Sequence, residues 1–259
     1  MSTEPTWIDS HCHVMECEGG SEAAIARARD NDVLAMVVVG TDLATSRAAV
    51  DLAKQHSDVF ATVGLHPHDA QDVNTQWEEL CDLAQSPNVV AIGETGFDFF
   101  YKHSDPEIQE TVFRQQIRLA HTLDLALVIH TRDAWADTWR VLQEETVPSR
   151  TVFHCFSGGP DEARTCLDLG ARISFSGIIS FRRANDLRAA AAVCPLDRVL
   201  VETDAPFLSP EPFRGKPNEP ARVKVVGSAL AQAINQPVAD VARATSQAAA
   251  EVFGLALSD

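Results

Sequence analysis

The sequence predicts an α/β protein of the (β/α)8, or TIM-barrel, class, formed by a single domain with extra C-terminal helices. Short runs rich in Val, Ile, Leu and Phe alternate with helix-like segments along the whole chain, and eight such units can be counted. Strands that alternate with helices imply right-handed crossovers and a parallel sheet. The length of 259 residues matches the roughly 250 that a barrel of this class needs. No Gly-x-Gly-x-x-Gly turn follows the first strand, which disfavours a dinucleotide-binding sheet.

The predicted strands are short, and most of them end at a polar residue or a glycine. They span residues 6–11, 34–39, 59–65, 88–93, 125–129, 151–153, 172–176 and 198–201. The intervening helices are predicted over residues 22–31, 44–56, 76–85, 106–123, 134–145, 161–169 and 185–194. Two further helices, 221–234 and 238–253, follow the last strand. We see no linker or repeat, so residues 1–259 are predicted to form one domain.

Several of these helices carry recognisable end signals. Asp42 and Asp105-Pro106 stand where an N-cap and a first-turn proline are favoured, and Pro160-Asp161 opens another helix. Gly170 stands where a helix closes in the left-handed conformation.

The charge balance restricts the ways in which a polyanion could bind. A net charge of −16 excludes a broad basic surface for nucleic acid. A polyanionic substrate would have to be recognised locally, by metal ions and a few well-placed cations.

The composition also predicts a compartment. Six scattered cysteines are typical of reduced thiols in a cytosolic protein. The N-terminus lacks a basic region followed by an apolar one, and no apolar run approaches the roughly 20 residues of a membrane span. We therefore expect a cytoplasmic protein with no membrane association and no obligate protein partner.

The first predicted strand leads directly into two histidines. On a strand, Asp9, His11 and His13 would project to the same face, and two imidazoles so placed can share one metal ion. Taken alone, such a pair is more often two ordinary histidines than a pair of metal ligands.

Other metal-ligand residues recur at the ends of predicted strands. At or just past the ends of strands 1, 4, 5, 6 and 8 lie His11, His13, Glu94, His130, His154 and Asp204. The carboxyl ends of barrel strands form one mouth, where active sites are built, so these side chains predict a metal site. The ligand set suits Zn²⁺, Mn²⁺, Co²⁺ or a similar ion, and it exceeds what one ion needs.

Two divalent ions are therefore predicted. In this hypothesis Glu94 bridges them, His11, His13 and Asp204 surround one ion, and His130 and His154 surround the other. Two such ions would activate a shared water for hydrolysis. Asp204 would then accept the proton of that water as general base, beside Glu94 as the second catalytic carboxylate.

A set of longer motifs connects these residues to a known family. In order, the chain contains Asp9-Ser-His-Cys-His13, Gly64-Leu-His-Pro67, Gly93-Glu-Thr-Gly-Phe-Asp98, Val128-Ile-His-Thr-Arg132, His154-Cys-Phe-Ser-Gly158, Glu202-Thr-Asp-Ala-Pro-Phe-Leu208 and Arg214-Gly-Lys-Pro-Asn-Glu-Pro220. This series closely resembles the TatD family of metal-dependent deoxyribonucleases, a branch of the amidohydrolase-like barrels. The resemblance implies a divalent-metal site and hydrolysis of phosphodiesters in DNA, often as a 3′→5′ exonuclease. The chain has Thr95 and Phe97, whereas the family more often carries an aliphatic residue at one or both of these positions.

The remaining polar residues of these motifs have candidate roles around the metals. The resemblance implies that His66 contacts substrate, although a turn-stabilising role beside Pro67 stays open. Asp98 is predicted to orient a ligand, with acceptance of a proton as the alternative. Glu202 is predicted to hydrogen-bond near the metals without binding them.

Cations and aromatic residues are also placed near the predicted mouth. Arg132 is predicted to hold a phosphate, with an ion pair to Asp133 as the alternative. Lys102 and Arg214 are further candidates for substrate contact, together with Arg182, Arg183 and Lys216. The run Phe99–Tyr101 could stack on an exposed base, or it could pack against the barrel.

The leading interpretation is an enzyme that hydrolyses DNA, at single-stranded ends, through metal-activated water. The first rival is a metal-dependent hydrolase of a small-molecule or aminoacyl ester, amide or lactone on the same scaffold, because such barrels host many chemistries. The second is a metal-storing or scaffolding protein whose catalytic site is vestigial. The sequence leaves the physiological metal open among Mg²⁺, Mn²⁺, Zn²⁺ and Co²⁺.

Overall fold

The structure is a computed structural model that describes residues 5–255. Eight strands form one sheet in the order of the sequence, and parallel pairing is recorded for the neighbours β3–β4, β4–β5, β5–β6 and β7–β8. The strands are β1 (Trp7–Cys12), β2 (Val33–Val38), β3 (Val59–Val63), β4 (Val89–Asp98), β5 (Ala126–Arg132), β6 (Thr151–Phe153), β7 (Arg172–Phe175) and β8 (Val199–Val201). The predicted (β/α)8 class is confirmed.

The helices follow the strands as predicted, with shifts of a few residues at several ends. They are α1 (Ser21–Arg29), α2 (Leu43–Gln55), α3 (Val73–Leu83), α4 (Pro106–Leu123), α5 (Trp135–Glu145), α6 (Pro160–Asp168), α7 (Asn185–Val193), α8 (Val223–Ala233) and α9 (Val238–Phe253). Among the described residues, no helix has the length and apolar character needed to cross a bilayer.

The chain divides into two compact units. The central unit is Val38–Phe153, and the terminal unit combines Met1–Val37 with His154–Asp259. Residues 1–4 and 256–259 lie outside the described residues, so most of the stretch used to predict the lack of a secretory signal is among them. A single domain over residues 1–259 stays a prediction.

In the terminal unit, the first and last strands lie side by side. Ser10 Oγ in β1 donates to the carbonyl of Val201 in β8 at 3.0 Å, and Asp204 N donates to the carbonyl of His11 at 2.9 Å. Helices α8 and α9 cover these strands with buried apolar residues, and Gly227 of α8 lies directly against the buried ring of Trp7.

In the central unit, the sequence prediction for β4 is wrong in one respect. We expected the strand to end at residue 93 with Glu94 just beyond it, but β4 continues to Asp98. The register shifts between Ile92 and Thr95, which pair with Leu127 and Ile129, so one extra residue bulges at Gly93-Glu94. Glu94 therefore lies inside the strand.

Polar residues of α4 allow β4 to continue past its apolar run. Gln116 Nε2 donates to Thr95 Oγ1 at 2.6 Å, and Gln109 Oε1 accepts from Asp98 N at 2.9 Å. Both glutamines are buried, so their hydrogen bonds satisfy the polar groups of a strand segment that lacks apolar alternation. Strand β5 is also longer than predicted. It continues to Arg132, so His130 lies within the strand instead of after it.

The helix-end signals are largely confirmed. Asp42 forms a capping box with Thr45. Asp105 is the N-cap of α4, where its carboxylate accepts from Glu107 N and Pro106 is the first helical residue. Gly170 has a φ of +81° after α6. The N-cap of α6 is Gly159.

An ion-pair network joins α4 to α5. Arg114 contacts Glu110, Glu144 and Glu145, and Arg140 Nη2 lies 2.6 Å from Glu110 Oε2. Hydrogen bonds, first from Arg140 and then from Arg114, lower the pKa of Glu110 to about 2 against the opposing effect of burial.

We expect Glu110→Gln to lower the free energy of unfolding by about 1 kcal/mol at pH 7, since the network is only partly shielded from water. A carboxylate with a lowered pKa stabilises the fold fully above its unfolded value of 4.5, and that contribution is lost as pH falls toward 2. The difference between variant and wild type should therefore shrink to less than half at pH 3, as measured by urea unfolding. Glu78→Gln is the matched control, because Glu78 is exposed on α3 and makes no ion pair among the described residues. An equal loss of unfolding free energy at pH 7 and pH 3 would contradict a lowered pKa for Glu110.

Candidate metal-binding site

The terminal unit gathers five of the predicted site residues, which we call the His11 cluster: His11, His13, His154, Glu202 and Asp204. Asp204 Oδ1 lies 3.7 Å from His11 Nε2 and 3.4 Å from His13 Nε2. His154 Nδ1 lies 3.4 Å from Glu202 Oε1, and its ring stacks on that of His11 with 3.9 Å between centroids. Two triads, His11–His13–Asp204 and His11–His154–Glu202, each bring three potential ligand atoms within 4.8 Å of one another.

A buried hydrogen-bond network fixes the turn that carries Asp204. The carboxyl group of Asp9 accepts from Thr203 N at 2.9 Å and from Thr203 Oγ1 at 2.6 Å. Asn218 Nδ2 donates to the carbonyl of Thr203 at 2.9 Å. Burial raises the pKa of Asp9 to about 8, although the hydrogen bonds from Thr203 act in the other direction. Asp204 itself has a φ of +55°, so this anchoring holds a backbone conformation that L-residues seldom adopt.

The central unit gathers a second group, which we call the His130 cluster: His66, Glu94, Asp98 and His130. Glu94 Oε1 lies 2.8 Å from His130 Nδ1 and 3.4 Å from His66 Nε2, and these three residues bring their ligand atoms within 4.8 Å. The other ring nitrogen of His130 lies 3.2 Å from Asp98 Oδ2. An Nε2–H that donates to Asp98 leaves the lone pair of Nδ1 available on the side of Glu94.

The electrostatics favour protonation states that can bind a cation. Burial lowers the pKa of His66 to about 4, against the opposing effect of Glu94, so this imidazole is neutral at pH 7. Burial raises the pKa of Asp204, but the hydrogen bond from His13 and the charges of neighbouring histidines outweigh it and hold the pKa below its ordinary value. The pKa of Asp98 is likewise low, because hydrogen bonds from His130 and Tyr101 N–H overcome burial.

Both clusters fit a divalent metal ion. Bonds of about 2.1 Å in a tetrahedral site place ligand atoms about 3.4 Å apart. The observed separations include 3.4 Å for His13–Asp204 and 3.4 Å for His66–Glu94. Glu202 adds an independent observation: Oε1 accepts from Cys155 N at 2.7 Å, whereas the buried Oε2 has no hydrogen-bond partner among the described residues. An ion would satisfy that oxygen.

The structure changes the list of possible ligands in two places. His66, predicted to contact substrate, lies within ligand distance of Glu94 and His130. Glu202, predicted to stay outside the ligand shell, lies within ligand distance of His11 and His154. His68 was not selected as a site residue, yet its Nε2 lies 3.0 Å from Asp98 Oδ2. The His-x-His spacing of residues 66–68 was the signal available in the sequence.

The predicted substrate cations lie against aromatic rings. The guanidinium of Arg132 lies 4.1 Å from the ring centroid of Phe100, and no ion pair to Asp133 forms among the described residues. The guanidinium of Arg214 lies 3.9 Å from the ring centroid of Phe181. Lys102 is exposed in the turn after β4 with a φ of +52°. Contact of any of these residues with a substrate stays a prediction.

The fold and the two clusters define the class of protein: a metal-dependent hydrolase built on a (β/α)8 fold. A family model described as TatD related DNase matches residues 8–254. The chain belongs to the TatD family.

Individual relatives agree with this assignment. The uncharacterized metal-dependent hydrolase YcfH of Escherichia coli K12 is 39% identical over 255 residues, covering 95% of this chain and 95% of that protein. A Shigella flexneri protein named 3′-5′ ssDNA/RNA exonuclease TatD is 36% identical over 240 residues, with 90% and 92% covered. The crystal structure of YjjV, a TatD homologue of Escherichia coli K12, matches with a TM-score of 0.89 and 30% identity, covering 96% of this chain and 98% of that one.

Removing the carboxylate of Glu94 tests the ligand assignment of the His130 cluster. We expect purified Glu94→Ala protein to retain fewer tightly bound divalent ions per chain than wild type, because His66 and His130 lose the anion they share. Metal content is read by elemental analysis after gel filtration, with Glu78→Ala as control. If Glu94→Ala retained the wild-type number of ions, Glu94 would be neither ligand nor bridge.

Proposed function

We propose that this protein is a nuclease that hydrolyses phosphodiester bonds at single-stranded DNA ends, in the 3′→5′ direction, with two divalent ions. The observation that supports this most directly is the pair of imidazole–carboxylate clusters, each of which contains a triad with ligand atoms within 4.8 Å of one another. Divalent ions held there would lower the pKa of a water and stabilise charge on the phosphate. A bridging role for Glu94 remains part of this proposal.

The residues of the chain divide the remaining tasks. Water attacks phosphorus, the bond from phosphorus to the leaving 3′ oxygen breaks, and that oxygen takes up a proton from solvent. Asp204, held as a carboxylate beside His11 and His13, is placed to take the proton of the attacking water. Asp98 orients His130 through Nε2, and Asp9 orients the Asp204 turn through Thr203.

The name of one relative supports a nucleic-acid substrate. The Shigella flexneri protein is named as an exonuclease on ssDNA and RNA and covers 90% of this chain. The Arg132 and Arg214 guanidinium groups, each against an aromatic ring, could serve as local cations for substrate phosphates on a chain with a net charge of −16.

The competing proposal is a hydrolase of a small ester, amide or lactone. The strong net negative charge favours it, because a polynucleotide is repelled over most of such a surface. Both proposals use the same clusters, so the substrate assay must separate them.

The decisive experiment incubates the purified protein with end-labelled single-stranded DNA and Mg²⁺ or Mn²⁺ over a series of salt concentrations. We expect progressive shortening from the 3′ end, abolished by a chelator and falling steeply as salt rises. Shortening that did not depend on salt would argue against binding of the substrate phosphates by Arg132 and Arg214. No shortening, together with hydrolysis of a simple carboxylic ester, would favour the competing proposal.

A further inference from the structure

Two consecutive aromatic side chains are exposed in the turn after β4. Phe100 and Tyr101 are 56% and 52% exposed, whereas Phe99 packs against Phe97 with 5.4 Å between ring centroids. Of the three aromatic residues in the run, one packs inward and two face outward. Together the two neighbouring rings form an exposed apolar surface beside β4.

This turn is fixed to the His130 cluster by one carboxylate. Asp98 Oδ1 accepts from Phe100 N at 3.0 Å and from Tyr101 N at 2.8 Å, while Oδ2 lies 3.2 Å from His130 Nε2. The exposed rings are thus held in a set position relative to a candidate metal ligand.

A cation lies against the same rings. Arg132 pairs with Asp98 in the β4–β5 register, and its guanidinium lies 4.1 Å from the centroid of Phe100 and 4.9 Å from that of Tyr101. Among the described residues no carboxylate pairs with it, so its charge is available to an anion. Tyr101 also contacts His103, with 5.7 Å between ring centroids and 13° between planes.

We propose that Phe100, Tyr101 and Arg132 form a subsite for one nucleotide of single-stranded DNA, in which the rings stack on the base and the guanidinium binds the phosphate. This inference rests on the proposed function and extends it to the recognition of the substrate. An unpaired base offers a face to the rings, whereas a base in a duplex is already stacked on both sides. The subsite would therefore select single-stranded ends over duplex ends and over small esters that carry no base.

The test compares the effect of removing the two rings with the effect of removing the base, alone and together. Two oligonucleotides are compared, one with a normal 3′-terminal nucleotide and one with an abasic residue there. Each is digested by wild type and by the double variant Phe100→Ala/Tyr101→Ala. We expect wild type to prefer the normal substrate by about 5- to 150-fold in kcat/KM, the range for one stacked base. The double variant should discriminate by less than about twofold.

Two controls support the interpretation of this cycle. Ile108→Ala removes another exposed apolar side chain from α4 and should keep the wild-type preference. Circular dichroism and gel filtration of the double variant establish that it folds and keeps the oligomeric state of wild type.

The outcomes separate the two proposals. If wild type digests DNA but does not distinguish the abasic end, or the double variant keeps the full preference, the subsite is wrong and the nuclease stands. If wild type digests neither oligonucleotide, the proposed function itself is overturned. A change of oligomeric state without loss of base preference would assign the rings to contact between copies of the chain and overturn the subsite.

Discussion

Asp204→Asn should reduce the rate of DNA hydrolysis by about 10³-fold, within the range seen when a positioned proton acceptor is removed. The substitution keeps the shape of the side chain but removes its negative charge and replaces one accepting oxygen with a donor. Asp204 Oδ1 lies near His11 Nε2 and His13 Nε2. The loss of its charge should therefore also weaken metal binding by these three residues. Activity on end-labelled single-stranded DNA in saturating Mn²⁺ is the measurement.

The control is Asp168→Asn. Asp168 is exposed on α6 of the same unit, and its carboxylate makes no hydrogen bond or ion pair among the described residues. It should retain activity within about twofold, since surface substitutions away from a site have small effects. Metal content and thermal unfolding of Asp204→Asn show whether the loss comes with a lost ion or with a lost fold. If a folded variant kept more than a tenth of the wild-type rate, Asp204 would not be the proton acceptor.

The architecture was readable from the sequence because it depends on patterns that repeat. Apolar runs alternating with amphipathic segments identified all eight strands, and α4 and α9 begin and end where predicted. The error at β4 has a physical cause. The apolar pattern stops at Gly93, but buried hydrogen bonds with Gln109 and Gln116 of the following helix α4 extend the pairing to Asp98.

The candidate site was only partly readable, for a related reason. His154 and Asp204 follow their strands closely, so position alone singled them out. The grouping of Glu202 with His11 and His154, and of His66 with Glu94, depends on side-chain directions that a one-dimensional pattern does not contain. Asp9 lies in β1 with His11, but its link to Thr203 needed coordinates, because the two residues are 194 positions apart in the chain.

A substitution outside both clusters should have the largest effect on stability. Gly227 lies in α8, where a Cβ atom would come within 2.0 Å of Trp7 Cζ3 and 2.2 Å of Cη2. Trp7 is 1% exposed in β1, so its ring has no free space to move into. We expect Gly227→Ala to lower the free energy of unfolding by about 2 kcal/mol, since overpacking of about 3 kcal/mol exceeds the gain of about 1 kcal/mol in helix propensity. Urea unfolding measures the change.

A second substitution distinguishes this clash from a general loss of helix packing. Trp7→Phe removes Cζ3 and Cη2, the two ring atoms nearest to the new methyl group, at the cost of a cavity. When Trp7→Phe is combined with Gly227→Ala, the new methyl group occupies part of that cavity. The double variant should therefore be more stable than the sum of the single changes predicts by at least about 1 kcal/mol. Ser228→Ala, at the exposed neighbouring position, should change stability by less than about 0.5 kcal/mol. Costs that simply add would show that the Trp7 ring is not what requires glycine at position 227.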